Sequence, residues 1–234
     1  PALLAVLSEN PRLVDGWEIL SSALEREGRM DEALAALKKT VALSPPGRSN
    51  YLVDVASLAL RAGHVDDARR HAELARDLGD PRAYVVLGRL ALREGELSAA
   101  LGVIDEGLKR FASSPPAGLH VLRAEVFGRQ EKLAEAEAEY RLELEAHPRS
   151  LDALSGLAIV AASRGDLTEA SKRVDAMVRA LPTAEAYRTG YVSLRSFGRI
   201  EEARALLAEG RRAFPLDARL AREESALAGP GGAR

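Results

Sequence analysis

Histidine is the residue type in this sequence best suited to hold a metal ion or to exchange protons near neutral pH. It occurs four times, as His64, His71, His120 and His147. His64 and His71 lie seven residues apart, on either side of a predicted helix start near Asp66, so they offer at most a weak metal site. We interpret them as loop and surface residues. Cysteine is absent, which excludes disulfides and thiolate metal sites.

Other catalytic patterns are missing. The sequence contains no GxxxxGK[ST] phosphate loop, no GxGxxG turn and no HExxH helix. Carboxylates are plentiful, but they cluster at predicted helix starts, where the helix dipole favours them. No acid–base pair is singled out, so we predict that this segment is not an enzyme and binds no cofactor or metal.

The charge and hydropathy of the sequence narrow the class of protein further. The formal net charge is −2, whereas a surface that follows phosphates is normally strongly basic, so we predict no nucleic-acid partner. No apolar run approaches the roughly 18 residues of a membrane span, so we predict no membrane insertion. Arginine outnumbers lysine 28 to 5, a bias that indicates a GC-rich bacterial genome. We expect a soluble bacterial protein, cytoplasmic or periplasmic.

Six short loops of one pattern recur along the chain, and each is followed by an alanine five residues after a position that is usually glycine. Successive alanines are separated by 35, 32, 36, 34 and 33 residues. Such a period is typical of stacked helix-pair repeats. The alanines are Ala33, Ala68, Ala100, Ala136, Ala170 and Ala203.

Further positions keep a fixed register with these alanines. A bulky residue, which is His120 in the fourth unit, lies eleven residues before each glycine position, and a small residue usually follows it by four. Small residues let two helices approach closely, and bulky ones fill the space between units. The fourth unit also departs from the pattern with Glu131 in the glycine position, the second and third lack the closing proline, and the sixth has Gly190 and Tyr191 where a bulky and a small residue are usual. We expect these units to be the loosest units or the boundary ones. The bulky positions are Trp17, Leu52, Tyr84, His120, Leu154 and Tyr187.

With these positions in register, nearly the whole chain resembles the tetratricopeptide-repeat family. The resemblance implies an all-α fold, a right-handed superhelical solenoid of antiparallel helix pairs whose first helices line a concave groove. The predicted segments are the second helix of a truncated preceding repeat at 1–11, six repeats at 14–47, 49–80, 81–116, 117–150, 151–183 and 184–216, a capping helix at 217–228 and a flexible tail at 229–234.

Helical spacing predicts an exposed stripe on each first helix, at positions −2, +1, +5, +8 and +9 relative to the bulky residue. We call these positions the first-helix stripe. In the first unit it holds three acidic residues and one arginine, which sum to −2; in units two to four it holds five arginines and one glutamate, which sum to +4.

Arginine is well suited to grip carboxylates, and apolar anchors supply most binding energy. We therefore hypothesise that the groove over units two to four binds an acidic, partly apolar peptide segment of another protein. The residues proposed to bind it are Arg61, Arg82, Arg89, Arg93, Arg129, Val53, Leu60, Val85, Leu92 and Val121.

Several alternatives stay open. The stripe is equally compatible with a solvated helix face in an arginine-rich protein. The chain begins inside a helix, so we expect it to belong to a longer protein, and the array then serves as an accessory C-terminal module of a bacterial enzyme, such as a sulfatase-like hydrolase, or of a secretion or assembly protein. The same open N-terminal edge could dock on a second copy and form a homo-oligomer. The carboxylate clamp of the best-known peptide-binding members uses Lys and Asn, whereas this chain offers Glu18, Ser22 and Asp54, so a chaperone-tail adaptor is not predicted.

Overall fold

The computed structural model describes residues 2–45 and 48–228. These residues form fourteen α-helices joined by loops and turns, and they contain no strand. The prediction of an all-α fold is confirmed. Residues 46 and 47 of the predicted first repeat and the predicted tail at 229–234 lie outside the described residues. The helices are α1 (Ala2–Glu9), α2 (Val14–Arg26), α3 (Met30–Leu43), α4 (Ser49–Ala62), α5 (Val65–Asp77), α6 (Arg82–Glu94), α7 (Leu97–Arg110), α8 (Leu119–Arg129), α9 (Leu133–Ala146), α10 (Leu151–Ser163), α11 (Leu167–Ala180), α12 (Ala184–Ser196), α13 (Ile200–Ala213) and α14 (Ala218–Ala228).

The contacts divide the chain into two compact units, residues 1–122 and 123–234, and the division falls inside α8. In the first unit, α2 to α6 share a core in which Val55, Leu58 and Leu90 are almost wholly buried. In the second unit, α10 to α14 share a core around Met177 and Tyr191. Each predicted repeat contains one helix pair.

The alanine of each repeat explains how closely its helices pack. All six are at most 1% exposed. A larger side chain at these positions would separate the helices and lose the dispersion contacts of a close-packed interior. The glycine of the loop serves a different purpose: it takes a left-handed conformation, with φ between 76° and 89°, in the five repeats that have one.

One aromatic arrangement occurs twice and was not recognised in the sequence. The Tyr84 hydroxyl donates to Glu106 at 2.9 Å, and the Tyr84 ring lies edge-on to Phe111 at 5.9 Å. The backbone of Gly107 lies directly against the Tyr84 ring. The same residue types recur 103 positions later, as Tyr187, Glu209, Gly210 and Phe214.

We predict that Gly107→Ala destabilises the protein, by about 1–3 kcal/mol. The added Cβ would lie 2.9 Å from the Cβ of Tyr84, an atom tied to the backbone of α6, so one of the two helices must move. Gly102→Ala in the same helix is the control: it meets nothing within 4 Å and should stabilise α7 by up to about 1 kcal/mol. Urea unfolding measures both. Equal midpoints for Gly107→Ala and the wild type would contradict this packing.

We predict that Glu131→Gly stabilises the protein. Glu131 occupies the glycine position of the fourth repeat with φ of 60°, and it is the one non-glycine residue with positive φ in the described part of the chain. The left-handed conformation costs an L-residue about 1–2 kcal/mol, and the greater unfolded-state entropy of glycine returns about 0.4–1 kcal/mol of that. We expect a net gain of about 0.5 kcal/mol, read from the thermal midpoint. Glu131→Ala removes the same charge but keeps the strain, so a similar gain in that variant would refute the backbone explanation.

Candidate functional site

Some first helices contact the next first helix along the chain, although within its described part α2 and α4 do not. α4 contacts α6 in the first unit, and α10 contacts α12 in the second. No such contact joins α3 to α5 or α11 to α13 among the residues that the structure describes. The first helices are therefore closer together than the second helices, which places the first-helix stripe on the inner side of each unit.

In this packing, some positions of the stripe are buried and others are exposed; we call the exposed ones open positions. Position +9 is exposed in all six repeats and position +5 in five of them, whereas position +1 is at least half-buried in five. The predicted exposed apolar line is consequently wrong for three residues, because Val53, Leu92 and Val121 are each only 3% exposed. Leu60 and Val85 are half-buried.

Arg61 and Arg82, which belong to the predicted arginines, have acidic partners. Arg61, at the end of α4, pairs with Glu25 of α2, and the hydrogen bond from Arg61 lowers the pKa of Glu25. Arg82, at the start of α6, lies 3.1 Å from the buried Asp80 and 3.2 Å from Asp54. Neither acidic partner of Arg82 belongs to the stripe, so the sum of +4 overstates the charge that a ligand would meet.

Arg93 has a backbone partner. It donates to the carbonyl of Leu60 in the last turn of α4 at 2.8 Å, and this carbonyl also accepts from the Gly63 N–H at 3.3 Å. Arg89 is exposed at position +5 of α6 and makes neither a hydrogen bond nor an ion pair with any described residue. Arg129 is exposed in the last turn of α8, in the second unit.

A polar pocket of about 200 Å³ opens between α2 and α4 in the first unit. Its lining includes Glu18, Asp54 and three serines. Burial raises the pKa of Asp54, the nearby Arg82 opposes that shift, and the charge of Glu18 adds to it. Helical spacing already placed five of the nine lining residues in the stripe, and the tertiary structure adds Asp54, which lies outside it. The lining residues that belong to the stripe are Glu18, Ser22, Glu25, Ser57 and Arg61.

The histidines do not combine into a metal site. The His64 ring lies 2.6 Å from a carboxylate oxygen of Asp31, whereas the His71 ring bonds to the carbonyl of Asp67 in its own helix. No group of three or more potential ligands is assembled within the described residues. His120 is half-buried in its packing position.

Among the residues that the structure describes, no helix is both long enough and apolar enough to cross a membrane.

The second unit presents apolar residues that the sequence interpretation passed over. Ile159 and Val192, both at position +5, are 48% and 39% exposed. Arg195 lies near them on α12, and its guanidinium donates to the Tyr191 hydroxyl at 3.2 Å. Helical spacing places both aliphatic residues in the stripe, so their exposure was predictable from the sequence. The charge sums, however, favoured units two to four as the binding region.

Comparison with known proteins agrees with this architecture. A family model described as tetratricopeptide repeat matches residues 1–48, 54–115 and 121–185, most of the chain. The chain belongs to the tetratricopeptide repeat family. Such repeats are typically non-catalytic scaffolds that bind other proteins.

Individual relatives are more distant. The cytochrome c-type biogenesis protein CycH of Rhizobium meliloti (strain 1021) is 30% identical over 115 residues, which cover 47% of this chain and 29% of that protein. The chain thus spans less than a third of that relative's length.

Two solved structures share the fold. The tetratricopeptide-repeat protein TTC0263 of Thermus thermophilus has a TM-score of 0.62 at 23% identity, and the match covers 77% of this chain and 98% of that protein. PilW, a type IV pilus biogenesis factor, has a TM-score of 0.61 at 17% identity, and the match covers 90% of this chain and 97% of PilW. At these identities the likeness concerns the fold alone.

Proposed function

We propose that this protein is an interaction scaffold whose first-helix stripe binds an acidic peptide segment of a partner protein. The observation that carries the proposal is Arg89, an exposed arginine on the inner side of the first unit with no acidic partner among the described residues. An arginine in that state offers its whole guanidinium fork to a carboxylate.

The other predicted residues of the first unit contribute unequally to the proposed binding of a peptide. Arg93 also lacks a carboxylate partner within the described part of the chain, but its bond to Leu60 fixes one side of the guanidinium. Arg61 and Arg82 would have to exchange an intramolecular carboxylate for one of the ligand, so they contribute less than their charge suggests. The half-buried Leu60 and Val85 are the predicted apolar residues that a ligand could still reach.

We predict that Arg89→Glu weakens peptide binding. The probe is a phage-displayed library of short random peptides selected on the intact chain, with the best binder resynthesised for fluorescence polarisation. We expect acidic residues to be enriched, and roughly a tenfold loss of affinity in the variant, because an attraction becomes a repulsion. Arg212→Glu is the control: Arg212 is exposed on the second helix α13, outside the stripe. Unchanged affinity in Arg89→Glu, or equal losses in both variants, would overturn the proposal.

The curated relative suggests the cellular process in which the partner protein takes part. CycH is named for cytochrome c biogenesis, which is an assembly process, and this favours the secretion or assembly alternative over an accessory role beside a sulfatase-like hydrolase. The selected peptides should then match a segment of an assembly factor of the source bacterium. A match confined to an enzyme joined to these repeats would favour the accessory role instead.

Self-association is the second candidate function, and one pocket favours it. A mainly apolar pocket of about 430 Å³ lies at the N-terminal edge, lined by residues of α1, α2 and α3 that include Trp17 and Leu20. Leu4 lines this pocket and is 56% exposed. The pocket is also lined by Lys39 and by Glu27, so two copies related by a two-fold axis could place opposite charges together.

We predict that Leu4→Glu abolishes this association, because Leu4 lines the pocket and the substitution places a charge in its apolar lining. Sedimentation velocity over a wide concentration range should show a dimer for the wild type and a monomer for the variant. Leu216→Glu is the control, since Leu216 is 96% exposed and belongs to the second unit. A wild type that stays monomeric at every concentration would rule out the second candidate.

A further inference from the structure

Two exposed aliphatic residues occupy the same position on adjacent helices of the second unit. Ile159 on α10 and Val192 on α12 are both five residues after the bulky residue of their repeat, and they are 48% and 39% exposed. Because α10 and α12 contact one another, equivalent positions on the two helices are neighbours along the stripe. A single exposed aliphatic residue is ordinary, but two in line form a patch.

The core of the second unit does not depend on these two side chains. Their sequence neighbours Val160, Tyr191 and Leu194 are between 1% and 4% exposed and already supply the buried faces of the two helices. Substitutions of Ile159 and Val192 should therefore change the surface without unfolding the protein.

An arginine lies beside this patch with its orientation already set. Arg195 follows Val192 by three residues, which places both on one face of α12. Its guanidinium lies 5.5 Å from the centre of the Tyr191 ring and donates to the Tyr191 hydroxyl at 3.2 Å. Arg195 has no carboxylate partner within the described residues, whereas Arg188 on the same helix lies 2.7 Å from Glu185.

We propose that Ile159, Val192 and Arg195 form an anchor site for a peptide segment in which an aliphatic side chain adjoins a carboxylate. The aliphatic side chain covers Ile159 and Val192, and the carboxylate pairs with Arg195, whose restricted side chain loses little further freedom on binding. This site rests on the proposed peptide-binding function and adds exposed aliphatic residues, whereas in the first unit Val53, Leu92 and Val121 are buried and Leu60 and Val85 are half-buried.

The charge of Arg195 selects among possible occupants. A basic segment would bring a second cation to an arginine that is not neutralised, and a purely apolar segment would leave the guanidinium without an anionic partner. An acidic segment without an aliphatic residue would leave the patch exposed to water. The aliphatic-plus-acidic segment satisfies both features together.

The test uses the intact chain and the same phage-displayed random peptide library, with selected peptides resynthesised as fluorescent probes. We expect the selected sequences to pair Leu, Ile or Val with an adjacent Asp or Glu. The double variant Ile159→Ser/Val192→Ser should weaken their binding by at least roughly tenfold, because it removes the apolar contact. Leu142→Ser is the matched control, since Leu142 is 41% exposed in the same unit but lies on the second helix α9.

A second comparison isolates the arginine. Arg195→Gln should weaken binding of the selected peptide but not of its counterpart with Gln or Asn in place of the acidic residue. Equal effects on both peptides would overturn the assignment of the carboxylate to Arg195, and circular dichroism confirms that each variant is folded.

The outcomes separate this inference from the proposed function. If Arg89→Glu weakens binding and the Ile159→Ser/Val192→Ser variant does not, peptide binding stands and the anchor site is wrong. If the double variant weakens binding and Leu142→Ser does not, the anchor site is supported whatever the effect of Arg89→Glu. If no peptide is enriched on the wild type, both proposals fail.

Discussion

The close approach of two helices at one buried alanine in every repeat is the constraint on which the rest of the structure depends. A side chain no larger than a methyl group lets the backbones come together, and the residues around it then fill the remaining space. Gly107 shows the same constraint at the ring of Tyr84, and Gly210 shows it again at Tyr187. Each pair contacts mainly its neighbours along the chain, so the inner side of each unit is assembled one helix at a time.

The chemistry of the inner face follows from this packing. Most side chains at position +1 are buried or half-buried, whereas those at +9 and most of those at +5 are exposed. Open positions carry charge in the first unit, at Arg61, Arg89 and Arg93, whereas in the second unit the charged Arg129 is joined by the aliphatic Ile159 and Val192. One repeated backbone therefore presents different chemistry in each unit without any change of fold.

Ion pairs determine which of those charges a ligand would meet. Arg61 and Arg82 belong to the predicted basic surface, but Glu25, Asp80 and Asp54 neutralise them within the protein. Such pairs add little to stability when exposed. Their effect here is to leave Arg89 and Arg195 as arginines of the inner face without a carboxylate partner among the described residues.

The helices and their pairing were predictable from the sequence by itself, because they depend on local features: a period near 34 residues, a small residue where helices cross and glycine where the chain turns. Even the exception was visible, since Glu131 takes the left-handed conformation that glycine takes in the other loops. Whether each stripe residue is buried, exposed or paired was decided only by the tertiary structure. The burial of Val53, the ion pairs of Arg82 and the contact of Arg195 with a tyrosine instead of a carboxylate each depend on residues from other turns or helices. Helical spacing relates Arg195 to Tyr191, four residues before it, but it does not show which partner an arginine takes or which side chains a neighbouring helix buries.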